Sequence, residues 1–327
     1  MKSPVGALRI VGFAIAASIA LVVSYTSALA QAYPSRPIRL LIPFLPGGAA
    51  DVLGRTIALK LGEEFNQSVI VENRAGGNTI IAADAVAKSP PDGYTLLLAI
   101  DSTLAMNQTL FEKLPYDPVK DFAPVALVAK VQSVLIAPKN YPANTMKEMI
   151  ELAKLQSDST LIGSGTINTH LGAHLLAQMA GLRISIVPYR GGNSGLNAVL
   201  GGQIPLYMTS AAAVIPNYRA GNVKVLGVMG ATRMAEAPDI PAIGETVPGY
   251  DVYVWQSVVV PAKTPSEIIA KLNAALVKIL KMPNVKERLL TAGIEATSST
   301  PEELASFIRA ETDRWAPIIR QTGLKAD

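Results

Sequence analysis

The pattern of apolar and polar positions divides the chain into short buried runs separated by small polar turns. Ile38–Ile42 is an apolar run of the kind that forms a buried parallel strand. Pro43 and Pro46 end it, since neither has an amide hydrogen for a ladder. Gly47 and Gly48 follow, and Asp51 opens a helix with Leu53, Ile57, Leu61 and Phe65 four apart on one face. Ser68–Glu72 reads as a second strand, Thr79–Lys88 as a second helix and Tyr94–Ile100 as a third strand, apolar on both faces. Asp101-Ser102-Thr103 places polar groups at its carboxyl end. Strands alternating with helices predict a parallel, doubly wound sheet, whose ligands sit at the carboxyl ends of its strands.

A proline-rich connector, Leu114–Pro124, leads to a strand-like stretch, Val125–Ala137, interrupted at Lys130. A second α/β series follows. Its helices are expected near Thr145–Gln156, Asn168–Ala180, Ser194–Leu200 and Ala211–Ala220, and its strands at Thr160–Ile162, Ile184–Val187, Ile204–Met208 and Lys224–Met229. Thr145 and Glu148 form a capping box at the first of these helices. Arg233–Gly249 is a proline-rich loop, and Val252–Val260 carries the chain back. Pro265–Gly323 is helical with breaks at Pro283 and Gly293, and Thr300-Pro301 marks a helix start. The expected architecture is a periplasmic binding protein type II-like α/β fold. Its two doubly wound lobes are joined by a two-strand hinge: lobe one spans 33–131 plus 254–327, lobe two spans 132–253.

Three turns share one grammar of strand, small polar turn and helix start. They are Phe44–Asp51 (with Pro46, Gly47, Gly48 and Ala49), Ser164–His170, and Tyr189-Arg190-Gly191-Gly192. Free amides at a helix start, reinforced by the helix dipole, make an anion site. The reading is that turns from two lobes close on one small carboxylate; the alternative is that they are ordinary connectors. Charge-assisted bonds to a carboxylate bring roughly 1.5–3 kcal/mol each, so three or four reach micromolar affinity, about −8 kcal/mol, after ordering costs.

Asp51, Asn78 and Asn168 are read as helix caps that also border the site. Ser164, Thr166 and Thr169 cluster at a helix start as direct contacts, and Ser102 and Ser210 follow strands. His170 and His174 are the only histidines, one helical turn apart. With no His-Glu-x-x-His and no cysteine, no metal or cofactor is expected. Arg190 either pairs with a second carboxylate or is a solvated surface arginine, and Trp255 either lines the cleft or packs at the hinge. An exported serine hydrolase using Ser164 is disfavoured, because the Gly-x-Ser-x-Gly elbow is missing and both histidines follow Ser164 on one helix.

Residues 1–30 show Lys2 and Arg9, an apolar run Ile10–Val23 and Ala28-Leu29-Ala30, the pattern of a secretory signal peptide cleaved near Ala30. No later run is long and apolar enough to span a bilayer. The formal charge of +4 falls to +2 when Lys2 and Arg9 leave, with no basic cluster suited to nucleic acid. An exported, soluble monomer is expected.

The motifs Tyr33-Pro34-Ser35-Arg36-Pro37-Ile38, Pro46-Gly47-Gly48-x-x-Asp51, Val71-Glu72-Asn73-Arg74, Pro91-Asp92-Gly93-Tyr94-Thr95-Leu96, Asp121-Phe122-Ala123-Pro124, Val187–Gly192 and Pro261-Ala262-Lys263-Thr264-Pro265 together resemble the Bug/TctC family of extracytoplasmic solute receptors. The resemblance covers essentially all of the mature chain. It implies a periplasmic protein of two α/β lobes that closes on a di- or tricarboxylate or an aromatic acid. It also implies membrane permease subunits of a tripartite tricarboxylate transporter as partners; the competing reading is a ligand sensor whose closed lobes touch a signalling kinase. In the family, main-chain amides and water hold one carboxylate, which falls here on Phe44–Asp51 and Ser164–His170. Two departures stand out: His174 where an acid is common, and Ala49-Ala50 where a hydroxyl residue is frequent.

Overall fold

The computed structural model describes residues 33–189 and 192–325. The leader expected over residues 1–30 and the candidate contacts Arg190 and Gly191 lie outside them.

The apolar runs become strands. β1 (Ile38–Ile42), β2 (Val69–Asn73) and β3 (Thr95–Ile100) are parallel, with β1 in the middle. α1 (Ala49–Phe65) links β1 to β2, and α2 (Ile80–Ala87) precedes β3. Beyond β3 the polar stretch winds into a π-helical turn, Ser102–Met106, and then α3 (Asn107–Leu110), neither of which the sequence pattern announces.

β4 (Phe122–Pro138) is a single strand of 17 residues, not interrupted at Lys130. Its first part pairs antiparallel with β9 (Tyr253–Pro261) and the short β10 (Ile294–Ala296). Its second part pairs antiparallel with β7 (Leu206–Ser210) and β8 (Val223–Val228). β4 therefore belongs to two sheets. The first runs β2-β1-β3-β9-β4, and the second runs from β4 through β7 and β5 (Thr160–Ser164) to β6 (Ile184–Pro188). β5, β6 and β7 are parallel. The chain re-enters the first sheet at β9, where the amide of Val252 donates to Met229 carbonyl and that of Met229 donates to Ser133 carbonyl.

Helices cover both faces of the second sheet, and β4 shows why. Leu135 and Ala137 point into one core, while Val134 and Ile136 point into the other, because strand side chains alternate. On the first face lie α4 (Met146–Leu155) and α5 (Ile167–Ala180); on the second lie α6 (Gly192–Leu200) and α7 (Ala211–Arg219). The loop after β8 contains a short helix, α8 (Ile243–Thr246). The C-terminal region forms α9 (Ser266–Leu280), α10 (Pro283–Thr291) and α11 (Pro301–Thr322), with β10 after Gly293. The expected caps at Thr145 and Thr300 are made: each hydroxyl accepts from the third helical amide, of Glu148 and Glu303.

α11 joins the two cores. Leu304 and Ile308 pack in the core of the first sheet, whereas Trp315 and Ile319 pack with Leu135, Leu171 and Leu176 in that of the second. Between them Glu311, 7% exposed, accepts Trp255 Nε1 at 3.0 Å and Trp315 Nε1 at 3.2 Å on one oxygen. Trp255 is fully buried and meets Phe307 edge-on, so it packs rather than lining an open surface.

The Tyr207 ring fills the space under the turns after β5 and β6. A Cβ on Gly195 would stand 2.2 Å from its Cε2 and Cζ. Gly195→Ala is therefore expected to lower stability by about 2 kcal/mol or more through overpacking, read as a shift in a denaturant midpoint at unchanged slope.

Candidate functional site

β1 and β3 are parallel neighbours, so both end at the same edge of the first sheet. β1 leads there into the 43–48 loop and α1. At the end of β3 stands Asp101, whose Oδ2 accepts Asn168 Nδ2 at 2.7 Å. Asn168 is the second residue of α5, so this buried bond holds the start of α5, from the second sheet, at the carboxyl edge of the first. The same Nδ2 donates to Tyr253 carbonyl at 3.2 Å. Two helix starts thus meet one strand edge, the position where α/β sheets bind ligands.

At the first of them the structure corrects the cap assignment. α1 begins at Ala49 with Gly48 as N-cap, two residues earlier than expected, because Ala49 and Ala50 are strong helix formers. Asp51 is the third helical residue and reaches back to accept the Gly47 amide at 3.0 Å. It also accepts Arg55 Nε at 2.9 Å and Asn73 Nδ2 at 3.0 Å. Arg55 above all, with the Gly47 amide and Asn73, holds the Asp51 carboxyl down to about 2, against the effect of burial. Asn73 Nδ2 also donates to Phe44 carbonyl at 3.0 Å, which pins the loop from its other side. Leu45, Pro46, Gly47 and Gly48 are exposed, and Gly47 takes φ +93° to make the turn. The Gly47 amide is committed to Asp51, but the amides of Gly48, Ala49 and Ala50 carry no hydrogen bond.

The second helix start is similar. Thr166, not Asn168, caps α5, in a capping box with Thr169. The Thr169 hydroxyl accepts the amides of Gly165 and Thr166 at 3.2 and 3.0 Å, so those two donors are also committed. The amides of Ile167 and Asn168 carry no bond. Asn168 is no cap because its side chain is spent on Asp101 and Tyr253; its Oδ1 and the Ser102 Oγ are both buried and unpartnered.

Ser164 is 2% exposed, with its Oγ 3.4 Å from His170 Nδ1. Burial first, and then the neighbouring His174, pushes His170 down to about 4, and no carboxylate contributes. A triad needs an acid behind the histidine, and His170 has none. Tyr189 lies edge-on to Tyr207, and its amide donates to Ser164 carbonyl at 2.8 Å. Gly192 opens α6, and Ser210 is the N-cap of α7 without a side-chain bond. Asn78 is not a cap: it sits at φ +46° with its Nδ2 on Asn107 Oδ1 at 2.7 Å, in a network with Thr79, Thr103 and Tyr116. Among the described residues no cluster of acids and histidines is arranged to hold a metal. Asp101, Asn73 and Glu311 were not among the expected site residues. Asp101 left a trace in the sequence as an acid closing an otherwise apolar strand, and Asn73 as part of the Val71–Arg74 motif.

Burial, then the charge of Glu311, pushes Asp101 up to about 7, while the Ser102 amide and Asn168 oppose the shift. Its folded pKa lies above the ordinary carboxyl value of 3.8, so its share of stability is lost as pH rises through about 7. His170 has the opposite sign: with its folded value depressed from 6.5, it costs stability as pH falls towards 4. The two oppose each other between about 4 and 6.5, and only Asp101 acts above that range. Stability is expected to fall from about pH 6.5 to about pH 8, and Asp101→Asn to flatten that fall in thermal melts.

Residues 53–324 match the tripartite tricarboxylate transporter family receptor. BugT of Bordetella pertussis is 34% identical over 327 residues, covering 97% of this chain and 98% of its own. A UPF0065 protein from the tcbD-tcbE intergenic region of Pseudomonas sp. (strain P51) is 36% identical, covering 95% and 94%. Among solved structures, Rpa4515 of R. palustris with adipate is similar at a TM-score of 0.79 and 32% identity, over 89% of this chain and 98% of that one. MatC of Rhodopseudomonas palustris with bound malate is similar at 0.75 and 29%, over 88% and 100%. The chain belongs to the Bug/TctC family of solute receptors and has its two-lobed periplasmic binding protein fold. The family and the similar structures are solute-binding receptors rather than enzymes, so the hydrolase alternative is set aside. Family members are periplasmic, and among the described residues no helix is long and apolar enough to cross a membrane.

Proposed function

We propose that this chain captures a small dicarboxylate between its lobes, 33–131 with 254–327 and 132–253, and delivers it to the permease subunits of a tripartite tricarboxylate transporter. One ligand carboxylate takes the amides of Gly48, Ala49 and Ala50 from α1 and those of Ile167 and Asn168 from α5. Ser164, Ser102 and His170 border it, and the Tyr189–Gly192 turn, with Arg190, meets the far end of the ligand. The supporting observation is the pair of helix starts with unpartnered amides, joined at one strand edge through Asp101 and Asn168. The adipate and malate bound by two similar proteins support the ligand class. The chain works as an exported monomer, freed of residues 1–30 by cleavage near Ala30.

Calorimetric titration with adipate, malate, a tricarboxylate and an aromatic acid tests this reading. At least one dicarboxylate is expected to bind with Kd of about 1 μM, near −8 kcal/mol, and to raise the melting temperature. Absence of heat and of thermal shift with every acid refutes capture.

A further inference from the structure

Asp101 carries a charge that carboxylate capture does not use. It follows β3 directly and is 1% exposed. Oδ1 accepts the Ser102 amide at 2.7 Å, and Oδ2 accepts Asn168 Nδ2 at 2.7 Å. The backbone amide of Asn168 is one of the two unpartnered at the start of α5. One residue thus turns its main chain towards an anion site and its side chain towards a buried acid of the other lobe. Glu311 on α11 adds a second acid that acts on Asp101.

We propose that anion capture is coupled to protonation of Asp101: the bound carboxylate and the Asp101 carboxylate compete for one helix start, and the closed complex takes up a proton at Asp101. This rests on the capture reading above. A helix start carries only about half a positive charge, too little to neutralise two carboxylates in a low-dielectric setting. Protonation at Oδ1 relieves the repulsion without freeing α5, because Oδ2 is then the carbonyl oxygen and still accepts Asn168 Nδ2, while the bond from the Ser102 amide weakens. Asp101 therefore positions α5 in both states and carries a charge in only one. By reciprocity, a ligand that raises the proton affinity of Asp101 binds more tightly when Asp101 is already protonated.

The surrounding groups leave a clear window for this titration. On α5, burial holds His170 near 4 and lowers His174. On β9, burial pushes the Tyr253 phenol up to about 12. Lys130 of β4 lies 4.7 Å from the Tyr253 ring centre, and Arg314 of α11 bonds Glu311 and Asp251 carbonyl, so the nearby cations are held by other partners. Burial, followed by Glu311, pushes Asp101 up to about 7, inside the window.

The test is calorimetric titration of the full mature chain with adipate and with malate. It is run at about pH 6.5 and about pH 8, in two buffers of different ionisation enthalpy. Wild type is expected to bind about fivefold more weakly at the higher pH and to take up a fraction of a proton on binding. Asp101→Asn, which keeps one carbonyl oxygen for Asn168 Nδ2, is expected to lose both effects, whatever affinity its α5 start retains. Glu311→Gln, which keeps an acceptor for the indoles but removes the facing charge, is expected to move the midpoint of the pH dependence downward. Wild-type affinity that is the same at both pH values, with no proton uptake, overturns the coupling and leaves capture standing. A pH dependence that survives in Asp101→Asn, or a midpoint unmoved in Glu311→Gln, also overturns it. If neither acid binds wild type at either pH and the tricarboxylate and aromatic acid of the panel above also fail, capture itself fails and the coupling falls with it.

Discussion

Glu311→Ala is expected to cost about 3–5 kcal/mol of stability. The carboxylate serves two buried indole donors, Trp255 Nε1 in the core of the first sheet and Trp315 Nε1 in that of the second. Alanine leaves both donors without an acceptor, at about 1–3 kcal/mol each, and releases Arg314, which reaches Glu311 Oε1 at 3.3 Å. Against a total stability of about 5–15 kcal/mol this is a large fraction. Glu311→Gln keeps one carbonyl oxygen for the indoles and is expected to cost roughly half as much. Urea unfolding of the three proteins by tryptophan fluorescence decides it. Equal losses for Ala and Gln would mean that the charge, not the acceptor, holds the junction.

Gly48→Val is expected to weaken carboxylate binding by about 100-fold while lowering stability by only about 1 kcal/mol. The stability side follows from local geometry. Gly48 has φ −86° and ψ 175°, an extended conformation open to any residue, and nothing lies within 4 Å of where its Cβ would stand. The cost is that of a poorer N-cap. The binding side follows from the amides. A branched side chain over Gly48 and Ala49 denies two charge-assisted bonds, each worth about 1.5–3 kcal/mol, and every 1.4 kcal/mol is tenfold. Titration with adipate beside a thermal melt separates the two effects. Affinity that survives in a folded variant would remove the α1 turn from the site.

The parts of the fold that were legible in the sequence are those fixed by neighbours along the chain. Ile38–Ile42 and Thr95–Ile100 declared themselves by unbroken apolar runs, and Thr145 and Thr300 by an acid three residues on. What escaped was decided across the fold. Asp51, Asn78 and Asn168 have the chemistry of caps, but Gly47, Asn107 and Asp101 compete for their side chains and win. β10 is three residues long and exists only because β4 offers it an edge. The strand character of Val125–Ala137 was visible, but not that β4 runs unbroken through Lys130 into two sheets. At the candidate site, the glycine turns were legible as junctions between a strand and a helix start. Which amides remain unpartnered was not, since that depends on where Asp51 and Thr169 turn their oxygens.

α11 has a consequence for how the molecule assembles. Trp315 and Ile319 complete a core whose other members come from the middle of the sequence, so that core cannot be finished until α11 is present. A partly synthesised chain lacks its final wedge, and loop closure over such a separation is slow. Arrival of α11 therefore sets the moment at which the second core compacts.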